Sequence, residues 1–319
     1  MATTTATDAP ANRTGRARGA PGNRRSRHAG AGLMFVLPFF LVFLAMLVVP
    51  LGYAGYLSLY REQLIGGVSF IGLDNYKDAL TDGVFLHGLL RMLLFLVVQV
   101  PIMLGLALFL ALALDSGRAG GARSLRLLYF VPYAVPGVVA TLMWGYLYGR
   151  DFGPIAQVSR DLGLGAPSLL DSGSILFSMM NIVTWEFTGY NMIIMYAALR
   201  SIPTELYEAA AVDGAGPLRI ALRIKIPAIR PAILLTLIFS VIGTFQLFNE
   251  PSLLDVISPN AITNGYTPNF YAYNLAFVNQ NVNYAAAIAF LLGVVIAVAS
   301  YLVQLGALRG ERPQRKAAR

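Results

Sequence analysis

The chain has 319 residues, 56% of them hydrophobic and 13% charged, with a formal net charge of +8. Soluble domains carry about 25% charged residues, so this composition excludes an ordinary water-soluble core. The absence of cysteine excludes disulfides, thiolate metal sites and a cysteine nucleophile. The positive charge gathers at the chain ends and in particular loops, which is how membrane topology is written rather than how nucleic acid is bound.

Residues 1–32, rich in Ala, Thr, Gly and Arg, read as a disordered tail, with Arg24, Arg25 and Arg27 nearest the membrane. The paired arginines mimic an export signal. However, the uncharged stretch Ala29–Tyr60 far exceeds the roughly 7–15-residue apolar core of such a signal, so it is expected to stay as a first span. Further along, Leu127–Gly149 gives 23 uncharged residues between Arg126 and Arg150, Pro231–Asn249 gives 19 and Tyr284–Leu308 gives 25. A spanning helix needs roughly 20. Six spans are predicted, at about 33–58, 85–114, 125–149, 174–199, 231–250 and 284–308. The fold class is therefore all-α, a polytopic membrane helical bundle over 33–309, with a further short tail at 310–319.

Orientation follows from Lys and Arg. The N-terminal tail, the 115–126 loop, the 200–230 loop and the C-terminal tail hold 19 of the 24; the alternate segments hold four, Arg61, Lys77, Arg150 and Arg160, and Arg91 lies inside the second span. Such a split predicts both termini in the cytoplasm and an even number of spans, in a multi-pass protein of the plasma membrane. Pro38, Pro50, Pro101, Pro132 and Pro136 fall inside the spans. Proline frees a backbone carbonyl and kinks a helix. That suits a path that opens and closes, although proline is also simply commoner in membrane helices.

The longest polar stretch between spans on the cytoplasmic side is Ser201–Pro231. Pro203 and Glu205 suit the first turn of a helix through Val212. Asp213-Gly214 breaks it, and Pro217 starts a second short helix with Arg219 and Arg223 on one face and Leu218, Ala221 and Leu222 on another. By its physics this segment is either an element gripped by a soluble partner or an amphipathic connector lying on lipid.

The ordered series Glu208-Ala209-Ala210, Asp213-Gly214-Ala215, Ile224 and Ile226-Pro227 resembles the EAA loop of binding-protein-dependent ABC importer permeases. It departs from the commonest pattern at Leu218, where Trp is frequent, and at Ala221, where Phe is frequent. Those changes bear on the packing of the second short helix. The resemblance covers most of 33–309. Phe70 to Tyr76, Trp185 through Asn191 to Pro203, Phe245 to Pro251, the set Tyr271, Tyr273, Ala276 and Phe277, and Tyr284 to Ala287 resemble the carbohydrate-uptake branch, similar to the maltose and glycerol-3-phosphate type membrane subunits.

The resemblance implies a permease subunit for sugars or oligosaccharides. Its residues Glu208, Ala209, Ala210, Asp213, Gly214, Ala215 and Pro227 would couple to an ATP-binding subunit dimer. A second homologous permease subunit and an extracytoplasmic solute-binding protein would complete the assembly. No cofactor is expected on this chain, ATP belonging to the partner. The residues agree: there is no GxxxxGK[ST] loop, no HExxH motif, and His28 and His87 are far apart, so an enzyme is not expected.

Sugar passage needs hydrogen-bonding groups beside flat apolar faces. The fourth span offers Trp185, Glu186, Thr188, Tyr190 and Asn191; the fifth offers Ser240, Thr244, Phe245, Gln246 and Asn249. Intramembrane polar residues usually face a cavity or the bundle interior, although Trp185 and Tyr190 also read as interfacial aromatics. Glu186 and Arg91 either pair, or Glu186 lines the path while Arg91 snorkels outward. Gly145 and Gly149 form a lone GxxxG, a weak packing signal. The alternative reading is an ion-coupled secondary transporter, which would want paired ionisable groups at mid-membrane.

Overall fold

A computed structural model describes residues 24–63, 65–117 and 121–317, with side-chain surroundings given from 34 to 306. It divides into two compact units, Met1–Tyr53 and Ala54–Arg319. In the first, α1 (Arg24–Phe43) passes through a π-helical turn, Leu44–Val48, into α2 (Val49–Ser58), whose last residues already belong to the second. The wide turn falls just before Pro50, whose ring would collide with the Met46 carbonyl in regular α geometry. Helix therefore takes in Arg24–Gly32 of the expected tail, while residues 1–23 lie outside the described residues.

The second unit opens on a hairpin that the all-α reading did not contain. Strand β1 (Tyr60–Gln63) pairs antiparallel with β2 (Gly67–Phe70), Tyr60 opposite Phe70. It is tied to α3 (Asp74–Thr81) by Asn75, whose Nδ2 donates to the carbonyls of Ser58 and Tyr60, each at 2.9 Å. Arg61 forms an ion pair with Asp78 on the same helix.

Helix α4 (Gly83–Asp115) is capped by Asp82, whose Oδ1 accepts from the backbone N–H of Val84 and Phe85. Next come α5 (Ala122–Ala134) and α6 (Gly137–Tyr148), which meet at 91°. One kinked helix over 125–149 was expected. Val135 takes extended geometry (φ −75°, ψ 129°) ahead of Pro136. Proline disfavours the α region for its predecessor and has no N–H to continue the ladder. Helices α7 (Pro154–Asp161) and α8 (Ile175–Leu199) follow.

After α8 the polar segment folds as α9 (Glu205–Val212), α10 (Pro217–Ile220), a π-helical turn (Ala221–Lys225) and α11 (Ile226–Ala228), then bends by 66° into α12 (Arg230–Phe245). The fifth span was expected to reach 250. Instead the helix stops at Phe245 and a turn leads to α13 (Asn249–Ile257). Finally α14 (Pro268–Tyr273) runs through a π-helical turn, Asn274–Val278, before α15 (Val282–Ala317).

Among the described residues, three helical stretches, Met34–Ser58, Gly83–Asp115 and Val282–Gly306, are long and apolar enough to cross a membrane, and five are if each bent pair counts as one span. Helix α8 is 25 residues long, but Asn181, Glu186 and Asn191 dilute its apolar character. Its position explains why that is tolerable: α4, α5, α6 and α12 all pack against it, so protein rather than lipid meets much of its surface. Two buried clusters hold this bundle. One joins Met92, Phe95, Ile182, Val241 and Phe245; the other joins Val100, Ala107, Met192, Met195 and Leu199. Gly189 sets the approach of α5 to α8, because a Cβ there would stand 1.7 Å from the Tyr129 carbonyl oxygen. Gly145 serves α6 in a milder way, its would-be Cβ lying 2.5 Å from the Ile257 side chain on α13.

Candidate translocation cavity and coupling loop

The bundle holds a half-open cavity of about 360 Å³ between α4, α5, α8, α12 and α13. Its floor of aromatic surface comes from Phe95, Tyr133, Phe187, Tyr190, Phe239 and Phe248. Tyr133 at the end of α5 stacks on Tyr190 of α8, with centroids 4.6 Å apart and rings inclined by 21°. Polar groups stand beside these faces. Asn191 donates through Nδ2 to the Phe187 carbonyl at 2.9 Å, and Gln99 donates through Nε2 to Thr184 Oγ1 at 3.2 Å. Both amide oxygens are acceptors. Ser240 and Thr244 donate their hydroxyl protons one turn back, to Thr236 and Ser240 carbonyls at 2.8 Å. Each oxygen keeps lone pairs to offer.

Of the residues expected along the path, Tyr190, Asn191, Ser240, Thr244 and Asn249 line this cavity, and Trp185, Glu186 and Phe245 do not. Phe245 is fully buried in the core, since one step beyond Thr244 turns the side chain by about 100° to the far face of the helix. Trp185 packs edge-on against Trp144 at 5.8 Å. Glu186 is buried, with one oxygen 3.4 Å from the place a Cβ on Gly137 would occupy and the other without a hydrogen-bond partner. It does not pair with Arg91. Arg91 instead donates to the Tyr266 carbonyl at 3.3 Å and lies 4.7 Å over that ring's centroid. Gln99 and Glu250 line the cavity although neither was singled out as a path residue. Gln99 was legible as the one amide in the second span; Glu250 sat at an expected helix end and read as a boundary.

The polar segment closes α9 in a defined way. Gly214 has φ +78°, the Ala215 N–H reaches the Ala210 carbonyl at 2.9 Å and the Gly214 N–H reaches Ala211 at 3.0 Å. This is a Schellman ending, which demands a left-handed residue at Gly214. Glu208, Ala209 and Asp213 are exposed around it, Ala210 and Ala215 half-exposed, and Pro227 starts the return to α12. Leu206, Val212, Leu218 and Leu222 are also exposed, Val212 by 88%. Beneath them Lys225 forms an ion pair with Asp115 at the end of α4.

Residues 79–306 match the family model described as binding-protein-dependent transport system inner membrane component. The chain belongs to that family. This permease is thus a multi-pass protein of the plasma membrane, as its resemblance and its apolar helices implied. It is 31% identical to the lactose transport system permease protein of Rhizobium radiobacter, over 85% of this chain and 92% of the relative. It is also 31% identical to the arabinooligosaccharides transport system permease protein of Bacillus subtilis, over 88% and 90%. Among solved structures, a chain of a bacterial ABC transporter involved in the import of the acidic polysaccharide alginate superposes with a TM-score of 0.78 at 19% identity, covering 90% of this chain and 98% of that one. At that identity the likeness speaks for the fold.

Proposed function

We propose that this permease is the membrane subunit of an ATP-driven importer of sugars or oligosaccharides, offering part of the path and taking its drive from ATP-binding subunits that grip Ser201–Pro231. The observation that carries the reading is the loop itself: a polar stretch between spans that presents Leu206, Val212, Leu218 and Leu222 outward beside a glycine-closed helix end. Exposed apolar side chains grouped in this way mark an interface. The cavity supports the solute class, pairing aromatic faces with amide and hydroxyl acceptors. Relatives named for lactose and arabinooligosaccharide transport support it too.

The expected assembly adds a second permease subunit, two ATP-binding subunits and an extracytoplasmic solute-binding protein; the solved alginate transporter has been captured with a periplasmic protein carrying an alginate pentasaccharide. ATP hydrolysis belongs to the partner. Six spans with both termini cytoplasmic fit the distribution of Lys and Arg.

Uptake by proteoliposomes holding the full assembly tests this directly. Sugar should accumulate with ATP, persist when ionophores collapse ion gradients, and cease with a non-hydrolysable ATP analogue. Loss of uptake with the ionophores alone would favour the ion-coupled alternative. Within the same assay, Gly214→Val or Glu208→Trp should leave the protein in the membrane and abolish most uptake. A β-branched residue at positive φ is strained by more than about 1–2 kcal/mol, and a bulky side chain at 208 would stand in the docking face. Normal uptake in both variants would sink the coupling claim.

A further inference from the structure

Two routes lead from the exposed loop to the cavity. The covalent one passes through Ile229 into α12, and there the chain bends by 66° with Ile229 itself off the helix (φ −94°, ψ 11°). A joint of that kind transmits a push poorly. The second route is a buried contact. Lys225 Nζ and Asp115 Oδ2 form an ion pair whose side chains are only 13% and 4% exposed, and the ammonium also sits 4.7 Å from the centroid of the Tyr207 ring. Three segments meet there: Tyr207 on α9, Lys225 at the close of the loop's second helix, and Asp115 as the last residue of α4. The Tyr207 hydroxyl has no hydrogen-bond partner, so the ring face is what it contributes. From Asp115, α4 runs to the cavity-lining Met103, about 18 Å away at 1.5 Å per residue, and on through Pro101 to Gln99, about 24 Å away.

We propose that the Lys225–Asp115 pair under Tyr207 is a strut that makes the docking loop and α4 one moving body, carrying displacement of the loop to the cavity wall. Buried ion pairs add little net stability compared with apolar replacements of like size, yet they fix geometry and leave a stranded charge when one partner is lost. A pair placed where α9, the second loop helix and α4 meet is suited to fixing register. The inference rests on the reading that ATP-binding subunits grip this loop.

The test uses the complete transporter in proteoliposomes, measuring ATP hydrolysed and sugar taken up in parallel. The double variant D115L/K225M keeps bulk without charge. It should assemble with the ATP-binding subunits in normal yield while sugar moved per ATP falls at least fivefold. Y207F should stay fully coupled. Because the chain has no cysteine, D115C/K225C can be bridged selectively by a short bifunctional thiol reagent when the partner subunits are made cysteine-free. Coupling should be low before bridging and recover after it. Full coupling in D115L/K225M or in unbridged D115C/K225C overturns the strut, and so does failure of bridging to restore it. Should wild-type chains fail to retain ATP-binding subunits through the loop, the docking reading itself is at fault.

Discussion

Gly189 and Asp82 show how much of this fold hangs on single side chains. A methyl group at 189 has nowhere to go, since the obstacle 1.7 Å away is backbone of α5 rather than a movable side chain. Gly189→Ala should therefore force α5 off α8, costing about 3 kcal/mol or more as severe overpacking. It would be read as a lowered Tm in detergent, with Gly293→Ala, which meets nothing within 4 Å, as the unaffected control. Asp82 joins three helices: one oxygen caps α4 and the other accepts from the hydroxyls of Tyr271 at 2.7 Å and Tyr284 at 2.9 Å. Burial alone would raise its pKa, but those two hydroxyls and the backbone N–H groups of Phe85 and Val84 outweigh it and hold the carboxyl below the ordinary 3.8. A folded-state value depressed in this way contributes stability above 3.8 that is lost as pH falls through the lower folded value. Asp82→Asn should lower Tm at pH 7 by removing about 1 kcal/mol of charge-assisted bonding to the two tyrosine hydroxyls, while its amide oxygen can still cap α4. It should also flatten the acid limb of the Tm–pH curve; an unchanged limb would show that Asp82 is not the group responsible.

At the scale of elements, α8 supplies the cavity's most specific pair, Tyr190 and Asn191, and α12 its hydroxyls. Asn191→Ala and Tyr190→Ala should each raise the KM for sugar uptake roughly fivefold, the worth of about 1 kcal/mol of hydrogen bonding or aromatic contact. Membrane insertion should be unchanged. Phe245→Leu, on the far face of α12, should instead lower Tm with little change in KM. A KM effect at 245 equal to that at 190 would contradict the division between core and cavity described above. The helical period explains why the residue types were legible and their facing was not. Composition marked 185–191 and 240–249 as polar islands in apolar runs, but only the packing of α4 and α5 on α8 decides which side of each island meets the cavity.

For the molecule as a whole, apolar runs made most helices legible because they are written locally, and the charge asymmetry carries the proposed orientation. What depends on distant partners was hidden. Asp115 and Lys225 are 110 residues apart, and nothing in their neighbourhoods announces a pairing. Likewise Gly189 looks like any helical glycine until Tyr129 lies against it. The short hairpin at Tyr60–Phe70 was masked by its brevity, and the depth of the α5–α6 bend by the fact that two prolines signal a kink without specifying its angle. The orientation can be checked on the naturally cysteine-free chain. Single cysteines placed at 208 and 82 should react with an impermeant thiol reagent from opposite sides of the membrane; labelling of both from one side would break the proposed topology.

The bend between α5 and α6 has one more implication. Pro136 can never donate an N–H, so α5 and α6 cannot become one continuous hydrogen-bonded rod in any state of the cycle. A permanent seam lies between them, with polar backbone ends at its edges. An importer working across an energised membrane has to insulate as well as conduct, and water entering such a seam is a route for leakage. Tyr133 stands at that edge and is flanked by Phe187 at 5.7 Å and Tyr190 at 4.6 Å. The three rings thereby lie against that edge.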